Sequence, residues 1–144
     1  MADFASRFPA ALKSAIMDSL ITLPETLVTE YERFLVYRGV KINTKKTAID
    51  KTDFESQIER KLRRMPTVPL SEIEGARDWG KYSCSCFTEP DELNLALRLP
   101  AKGKRVAAGL VDEETGAYIL NDGSTHVHWF IYDNKDPSQE FELV

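Results

Sequence analysis

The sequence predicts an α+β domain in which helices come first and a mostly antiparallel β-sheet follows. Before Trp79 apolar residues recur at helical spacing, whereas after it β-branched and aromatic residues alternate between turn signals. The chain has 144 residues, of which 42% are hydrophobic, and this is enough for one sizeable core. We therefore expect a single domain over residues 1–144, helical over about 1–78 and β-rich over about 79–144.

Three segments of the N-terminal part have helical patterns. Apolar residues from Ala11 to Leu20 form one helical stripe behind a proline, which the first turn of a helix tolerates. A second helix is expected to open at Pro24. The clearest helix spans Thr52–Met65, where Thr52 and Glu55 form a capping-box pattern and the apolar side chains share one face.

Strand patterns begin near Phe34 and dominate after Trp79. The strand near Phe34 is expected to end or bend at Gly39. A short helix over Pro90–Leu97 interrupts the β-rich part, and an Asp-Gly step favours one tight hairpin. The remaining strands are expected over Lys81–Phe87, Arg105–Val111, Ala117–Leu120, Thr125–Tyr132 and Phe141–Val144.

The charge balance and cysteine content exclude several classes of protein. With 19 basic and 23 acidic side chains the formal net charge is −4, so we expect neither nucleic acid nor anionic lipid as a partner. No apolar run approaches the roughly 20 residues that a membrane span requires. The first 23 residues contain interrupting charges, which a secretory signal lacks. Two cysteines are too few for a disulfide framework, so we expect a reducing, cytoplasmic setting.

Two short motifs supply the first candidate binding residues. Arg38 can present a planar fork to phosphate, while Gly39 lets a ligand approach the backbone. The alternative is an ordinary arginine followed by a glycine that ends an element. On a strand, Ser83 and Ser85 share one face and can hold the hydroxyl groups of a substrate.

Cysteines and histidines form two further same-face pairs, and a metal site is one interpretation of them. The C-x-C and H-x-H pairs would complete a tetrahedral zinc set if their strands were neighbours. Their spacing is unlike that of zinc fingers, so we expect no metal. The alternatives are cysteines packed as small core residues and a solvated pair of imidazoles. The four candidate zinc ligands are Cys84, Cys86, His126 and His128.

Small size, net acidity and the lack of a complete catalytic set suggest a different class of function, a small non-catalytic interaction module. An acidic domain of the inhibitor, immunity or adaptor type would bind a protein partner through carboxylates, of which the candidates are Asp112, Glu113, Glu114 and Asp122. Basic residues also cluster over Arg60–Arg64, but acidic neighbours there favour a solvated helix face. Common phosphate-loop, dinucleotide-fold and hydrolase motifs do not occur.

Three features follow one another along the chain: Tyr-Arg-Gly, an aromatic residue followed by Ser-x-Ser, and the closing strands. Their order resembles that of the arginine–serine–glutamate class of mono-ADP-ribosyltransferases. In that family an arginine on the first core strand contacts the NAD pyrophosphate, and a Ser-Thr-Ser strand supports the nicotinamide site. The resemblance implies that Arg38 and Ser83 bind NAD, and we expect Gly39 to belong to the same NAD-binding set. It also implies that Arg38, Ser83 and Ser85 belong to a catalytic site, with a cysteine replacing the central threonine, in an ADP-ribosyltransferase-like fold over roughly Tyr37–Val144.

The third element of that family is a Glu-x-Glu or Gln-x-Glu pair that places the catalytic glutamate just before the penultimate strand. There this chain has His126 and His128, and a Glu140-Phe141-Glu142 triplet follows near its end. Breaking the nicotinamide–ribose bond builds positive charge on the ribose, against which a fixed carboxylate is required. Two alternatives stay open. Either Glu140 or Glu142 supplies the carboxylate and His128 joins the catalytic site, or the domain binds NAD without transferring ADP-ribose.

Overall fold

Three α-helices accompany one six-stranded antiparallel sheet in the computed structural model, which describes residues 4–144. This confirms the α+β class. The helices are Ala10–Met17 (α1), Gln57–Arg64 (α2) and Pro90–Leu97 (α3). The strands are Phe34–Lys41 (β1), Cys84–Phe87 (β2), Lys104–Val111 (β3), Gly116–Leu120 (β4), His126–Ile131 (β5) and Glu142–Leu143 (β6). None of the helices within 4–144 is long and apolar enough to cross a bilayer.

The strand order in the sheet is β4-β5-β2-β1-β3-β6. Strand β1 comes from the N-terminal half of the chain, yet it lies at the centre of the sheet between β2 and β3. It pairs with β3 along its whole length, from Phe34 opposite Val111 to Lys41 opposite Lys104. The change of sequence pattern near Trp79 therefore does not separate two structural halves.

Each face of the sheet carries its own core. Cross-strand pairs lie on the same face, and the register pairs Cys84 with Trp129 and Ser85 with His128. We call the first side the thiol face and the second the imidazole face. Aromatic rings of Phe54 and Phe141 pack on Trp129 of the thiol face. Residues of α1 and the segment before it cover Phe130 on the imidazole face.

The helix expected to open at Pro24 does not form, and that prediction is wrong. This segment instead runs along the edge strand β4, where Val28 forms an isolated bridge with Tyr118. The backbone N–H of Val28 donates to the carbonyl of Tyr118 at 2.8 Å, and the N–H of Tyr118 donates back at 3.0 Å. Pairing with an exposed strand edge satisfies the backbone groups that a helix would otherwise satisfy.

The helix expected over Thr52–Met65 begins later, because its capping box lies at Ser56 and Glu59. Ser56 Oγ accepts from the Glu59 N–H, and Glu59 Oε1 accepts from the Ser56 N–H, both at 3.1 Å. The preceding residues Lys51–Phe54 form a 3-10 helix that delivers Phe54 to the core of the thiol face. Two capping-box patterns follow one another in this stretch, and the α-helix uses the second.

Gly39 does not end a strand, so that alternative interpretation is wrong. Strand β1 continues through Gly39 to Lys41, and Gly39 lies opposite Val106 of β3. A Cβ at this position would contact the side chain of Leu97, so the glycine gives α3 room to pack on the sheet.

Candidate functional site

Strands β2 and β5 bring four of the sequence-predicted candidates together on the imidazole face. Ser83 directly precedes β2 and Ser85 lies within it, and His126 and His128 come from β5. The H-x-H spacing puts both imidazoles on one side of β5, with ring centroids 4.2 Å apart. Asn121, which follows β4, joins them. We call these five side chains the Ser–His cluster.

A continuous series of hydrogen bonds links the Ser–His cluster. Ser83 Oγ lies 3.1 Å from His128 Nδ1, and His128 Nε2 lies 2.9 Å from the side-chain amide of Asn121. The other end of that amide lies 2.8 Å from His126 Nδ1, while His126 Nε2 is hydrogen-bonded to Ser85 Oγ. The two hydroxyl groups therefore occupy the ends of the series and the amide its centre.

Aromatic side chains form the walls of the Ser–His cluster. The Trp79 ring meets His128 edge to face at 4.8 Å between centroids, and Phe87 stacks on His126 at 4.9 Å with an interplanar angle of 21°. Trp79 comes from the 3-10 helix Trp79–Tyr82, which crosses the imidazole face next to β5. Flat apolar walls around a few hydrogen-bonding groups are typical of sites for small planar ligands.

Burial keeps both imidazoles neutral near pH 7. It lowers the pKa of His128 to about 4, and the neighbouring His126 contributes to this shift. Burial also lowers the pKa of His126. Each neutral ring has one nitrogen that donates and one that accepts, so the pair can orient a ligand without repelling a cation.

A carboxylate that the sequence did not single out lies beside the Ser–His cluster. Glu92 Oε2 of α3 accepts hydrogen bonds from Ser124 Oγ at 2.9 Å and from the Thr125 N–H and hydroxyl at 3.1 and 2.9 Å. The hydrogen bonds from Thr125 and Ser124 lower the pKa of Glu92. It lies in the first turn of α3, two residues after Pro90, and acidic residues are common at this position of a helix whether or not they have a further role.

Stability is expected to fall when the protein is acidified from pH 7 to pH 5. The pKa of His128 is about 4 in the folded state and about 6.5 in the unfolded chain, so the unfolded chain binds more protons between these values. Because the ring is half exposed, we expect a loss of about 1–2 kcal/mol in the free energy of unfolding, which urea denaturation at each pH measures.

The matched variant carries glutamine at both histidine positions. His126→Gln with His128→Gln should flatten the dependence between pH 5 and pH 6.5, whereas the lowered pKa values of Asp50 and Glu92 act below this window. An equal slope in the wild-type protein and the variant would refute the assignment.

Arg38 lies on the opposite side of the sheet from the hydroxyl group of Ser85. Along β1 it lies two residues from both Val36 and Val40, so it shares their side of the strand, and both valines belong to the core of the thiol face. Its Nε donates to the Asp53 carbonyl at 2.6 Å, and its Nη1 donates to the Ser85 carbonyl. The structure thus places Arg38 on the strand next to Ser85, but its guanidinium and the serine hydroxyls do not face one cleft.

Glu140 and Glu142 lie away from the Ser–His cluster. Glu140 ends a 3-10 helix over Pro137–Glu140, and Glu142 lies in the edge strand β6. Strands β1 and β3 separate β6 from β2. Both glutamates are exposed, and the structure does not bring either one to the hydroxyl groups of β2.

The four candidate zinc ligands do not converge. Cys84 and Cys86 are buried on the thiol face as free thiols, whereas both histidines project from the imidazole face. Burial raises the pKa of the Cys86 thiol, which favours its protonated form. Over residues 4–144 no group of three or more histidine, cysteine or acidic side chains is placed to hold a metal ion. The structure thus favours the alternative in which the cysteines pack as core residues.

The charged clusters make local structural contacts. Arg63 of α2 forms an ion pair with Glu55 at 2.7 Å, and Lys61 Nζ donates to the Glu74 carbonyl at 2.8 Å. Asp112 Oδ1 accepts from the Glu114 N–H at 2.8 Å within the turn that joins β3 to β4. These contacts agree with a solvated helix face and a capped turn.

Comparison with known proteins finds no matching family model, no matching curated protein and no matching solved structure. Functional inference for this chain therefore depends on the chemistry of its own residues.

Proposed function

We propose that the protein binds an NAD-type dinucleotide at the Ser–His cluster, as an ADP-ribosyltransferase-like domain. One observation carries the proposal: the strands that bear the three sequence motifs, β1, β2 and β5, are neighbours at the centre of the sheet. The penultimate strand β5 carries His128, which is hydrogen-bonded to Ser83. In this proposal the imidazole takes the place of the carboxylate that the resemblance implies.

The chemistry of the Ser–His cluster suits the nicotinamide riboside half of such a ligand. The pyridinium ring of NAD is flat and positively charged, and the faces of Trp79 and Phe87 attract planar cations. Neutral imidazole nitrogens and serine hydroxyls can exchange hydrogen bonds with ribose hydroxyls. Because both histidines are neutral near pH 7, they do not repel the pyridinium charge.

We expect binding without efficient transfer of ADP-ribose. Positive charge develops on the ribose as the nicotinamide bond breaks, and a neutral imidazole offers no counter-charge. Glu140 and Glu142, the carboxylates that the resemblance would use, lie beyond β1 and β3. In this proposal Arg38 supports the site from the thiol face by holding the backbone of β2.

Titration calorimetry and thermal shift with NAD test the proposal. A ligand that binds only the folded state must raise the melting temperature, and we expect such a rise with NAD and a smaller one with nicotinamide. Ser83→Ala and His128→Ala should each weaken binding about tenfold, the cost of losing one or two buried hydrogen bonds.

Ser138→Ala is the matched control, because Ser138 is also a buried serine but lies in the 3-10 helix that precedes β6. It should leave the affinity for NAD unchanged. The proposal fails if millimolar NAD produces neither heat nor a thermal shift, or if Ser138→Ala weakens binding as much as Ser83→Ala does.

A further inference from the structure

We propose that Ser85 is a nucleophile for acyl transfer, with His126 as its general base and Asn121 as the residue that orients the base. Ser85 Oγ is hydrogen-bonded to His126 Nε2, and His126 Nδ1 lies 2.8 Å from the side-chain amide of Asn121. The three groups are thus hydrogen-bonded in the order that a base-assisted nucleophile requires: the hydroxyl as nucleophile, the imidazole as base and the amide as the group that orients the base. This activity goes beyond dinucleotide binding and does not depend on it.

The number of protons that the side chains of the Ser–His cluster carry determines the direction of each hydrogen bond. Ser83 Oγ lies 2.8 Å from the Gly80 carbonyl, which can only accept, so the single hydroxyl proton of Ser83 is used there. His128 Nδ1 must then donate to Ser83 Oγ. In a neutral ring this leaves His128 Nε2 as an acceptor, and the group of Asn121 that faces it must be the NH2.

The amide of Asn121 therefore turns its oxygen toward His126. An amide is accommodated equally well after a half turn about its Cβ–Cγ bond, and only this orientation leaves the Ser83 proton for the Gly80 carbonyl while every other contact of the cluster also has one proton. With the oxygen facing it, His126 Nδ1 carries the ring proton. The lone pair of His126 Nε2 is then directed at the Ser85 hydroxyl, which donates its proton to it.

In the opposite amide orientation the cluster is one proton short. His128 Nε2 would then donate to the amide oxygen, and both His128 Nδ1 and the Gly80 carbonyl would require the same Ser83 proton. The Gly80 carbonyl would keep the Ser83 N–H at 3.3 Å, but it would face Ser83 Oγ at 2.8 Å with no proton between the two oxygens, which is unfavourable. The favoured orientation is thus the one that makes Ser85, and not Ser83, the activated hydroxyl.

Burial and packing support the role of His126 as a base. Burial lowers its pKa, so the ring is unprotonated near pH 7. Stacking on Phe87 fixes the ring plane. Ser85 is half-buried, and the aromatic rings of Trp79 and Phe87 pack on the two imidazoles of the cluster. These walls suit a small aryl ester as the acyl donor.

The reaction has two steps, acylation of Ser85 and hydrolysis of the acyl-serine. Ser85 Oγ forms a bond to the carbonyl carbon of the ester, its proton passes to His126 Nε2, and the bond to the leaving alcohol breaks as that alcohol takes the proton. Water then attacks the acyl-serine with His126 again accepting a proton. A carboxylic acid leaves, and the serine hydroxyl is restored.

A fluorophosphonate probe tests the nucleophile directly. Attack by Ser85 forms a phosphorus–oxygen bond and expels fluoride, and the serine proton leaves by way of His126. Mass spectrometry of the intact protein should show one adduct, and peptide mapping should place it on Ser85. Ser85→Ala should abolish the adduct, and His126→Gln should slow its formation at least about 100-fold.

Further variants and a pH profile separate this role from a merely structural one. The labelling rate of the wild-type protein should fall as acid protonates His126, whereas Ser71→Ala, at an exposed serine of the 3-10 helix Leu70–Glu72, should leave the rate unchanged. Ser85→Cys keeps a nucleophile at the same position if Ser85→Ala fails to fold, and it should form a thioether with iodoacetamide. Absence of an adduct, an adduct on Ser83, or equal rates with and without His126 would each overturn the proposal, whatever the result with NAD.

Discussion

Arg38→Ala is expected to lower the free energy of unfolding by about 2–4 kcal/mol, because it removes two charge-assisted hydrogen bonds from a partly buried position. The guanidinium donates to the carbonyls of Asp53 and Ser85, and it lies 5.9 Å from the centre of the Phe54 ring. Without it, both carbonyls lose a partner and the 3-10 helix that carries Phe54 is no longer joined to β2. Urea denaturation at pH 7 measures the loss.

Two variants serve as controls for Arg38→Ala. Arg105→Ala removes an exposed arginine of the neighbouring strand β3 and should change stability by no more than about 0.5 kcal/mol. Arg38→Lys should recover only part of the loss, because an ammonium group lacks the planar fork that reaches two carbonyls. Unchanged stability in Arg38→Ala would contradict the structural role that these two hydrogen bonds assign to the guanidinium.

Local signals predicted much of the fold. The helix expected over Pro90–Leu97 has those bounds in the structure, because its proline start and apolar spacing are properties of the segment itself. The alternation that places Cys84 and Cys86 on one side of a strand and Ser85 on the other is equally local. The segment after Pro24 was mispredicted because its backbone pairs with an edge strand more than eighty residues later.

The candidate site could be predicted only in part, because it depends on register between distant strands. The sequence shows that Ser83 and Ser85 alternate with the cysteines, and that the two histidines share a side of their strand. It does not show that Arg38 shares a face with the cysteines, since a shift of one residue in the pairing of two strands exchanges the faces. Asn121 was missed because a turn after a strand explains an asparagine without any further role.

Gly116→Ala is expected to lower the free energy of unfolding by about 2–3 kcal/mol, as overpacking of a dense core does. A Cβ at this position would contact the Phe130 carbonyl and lie 2.7 Å from Trp129 Nε1 and 3.1 Å from Ile131 Cα. Two of these atoms belong to the backbone of β5 and the third to a fully buried indole, so none can move aside without shifting the strand.

Gly39→Ala tests whether the stiffness of the neighbouring atoms, and not their distance alone, determines how much an added Cβ destabilises the fold. A Cβ at Gly39 would also contact a neighbouring residue, but the contacted atoms belong to the flexible end of the Leu97 side chain. That end can rotate, so we expect a loss of no more than about 1 kcal/mol in urea denaturation. A larger loss for Gly39→Ala than for Gly116→Ala would contradict this reasoning. Since Gly116 begins the strand that Asn121 follows, Gly116→Ala should also weaken the orientation of His126 and slow the labelling of Ser85, whereas Gly39→Ala tests packing of α3 alone.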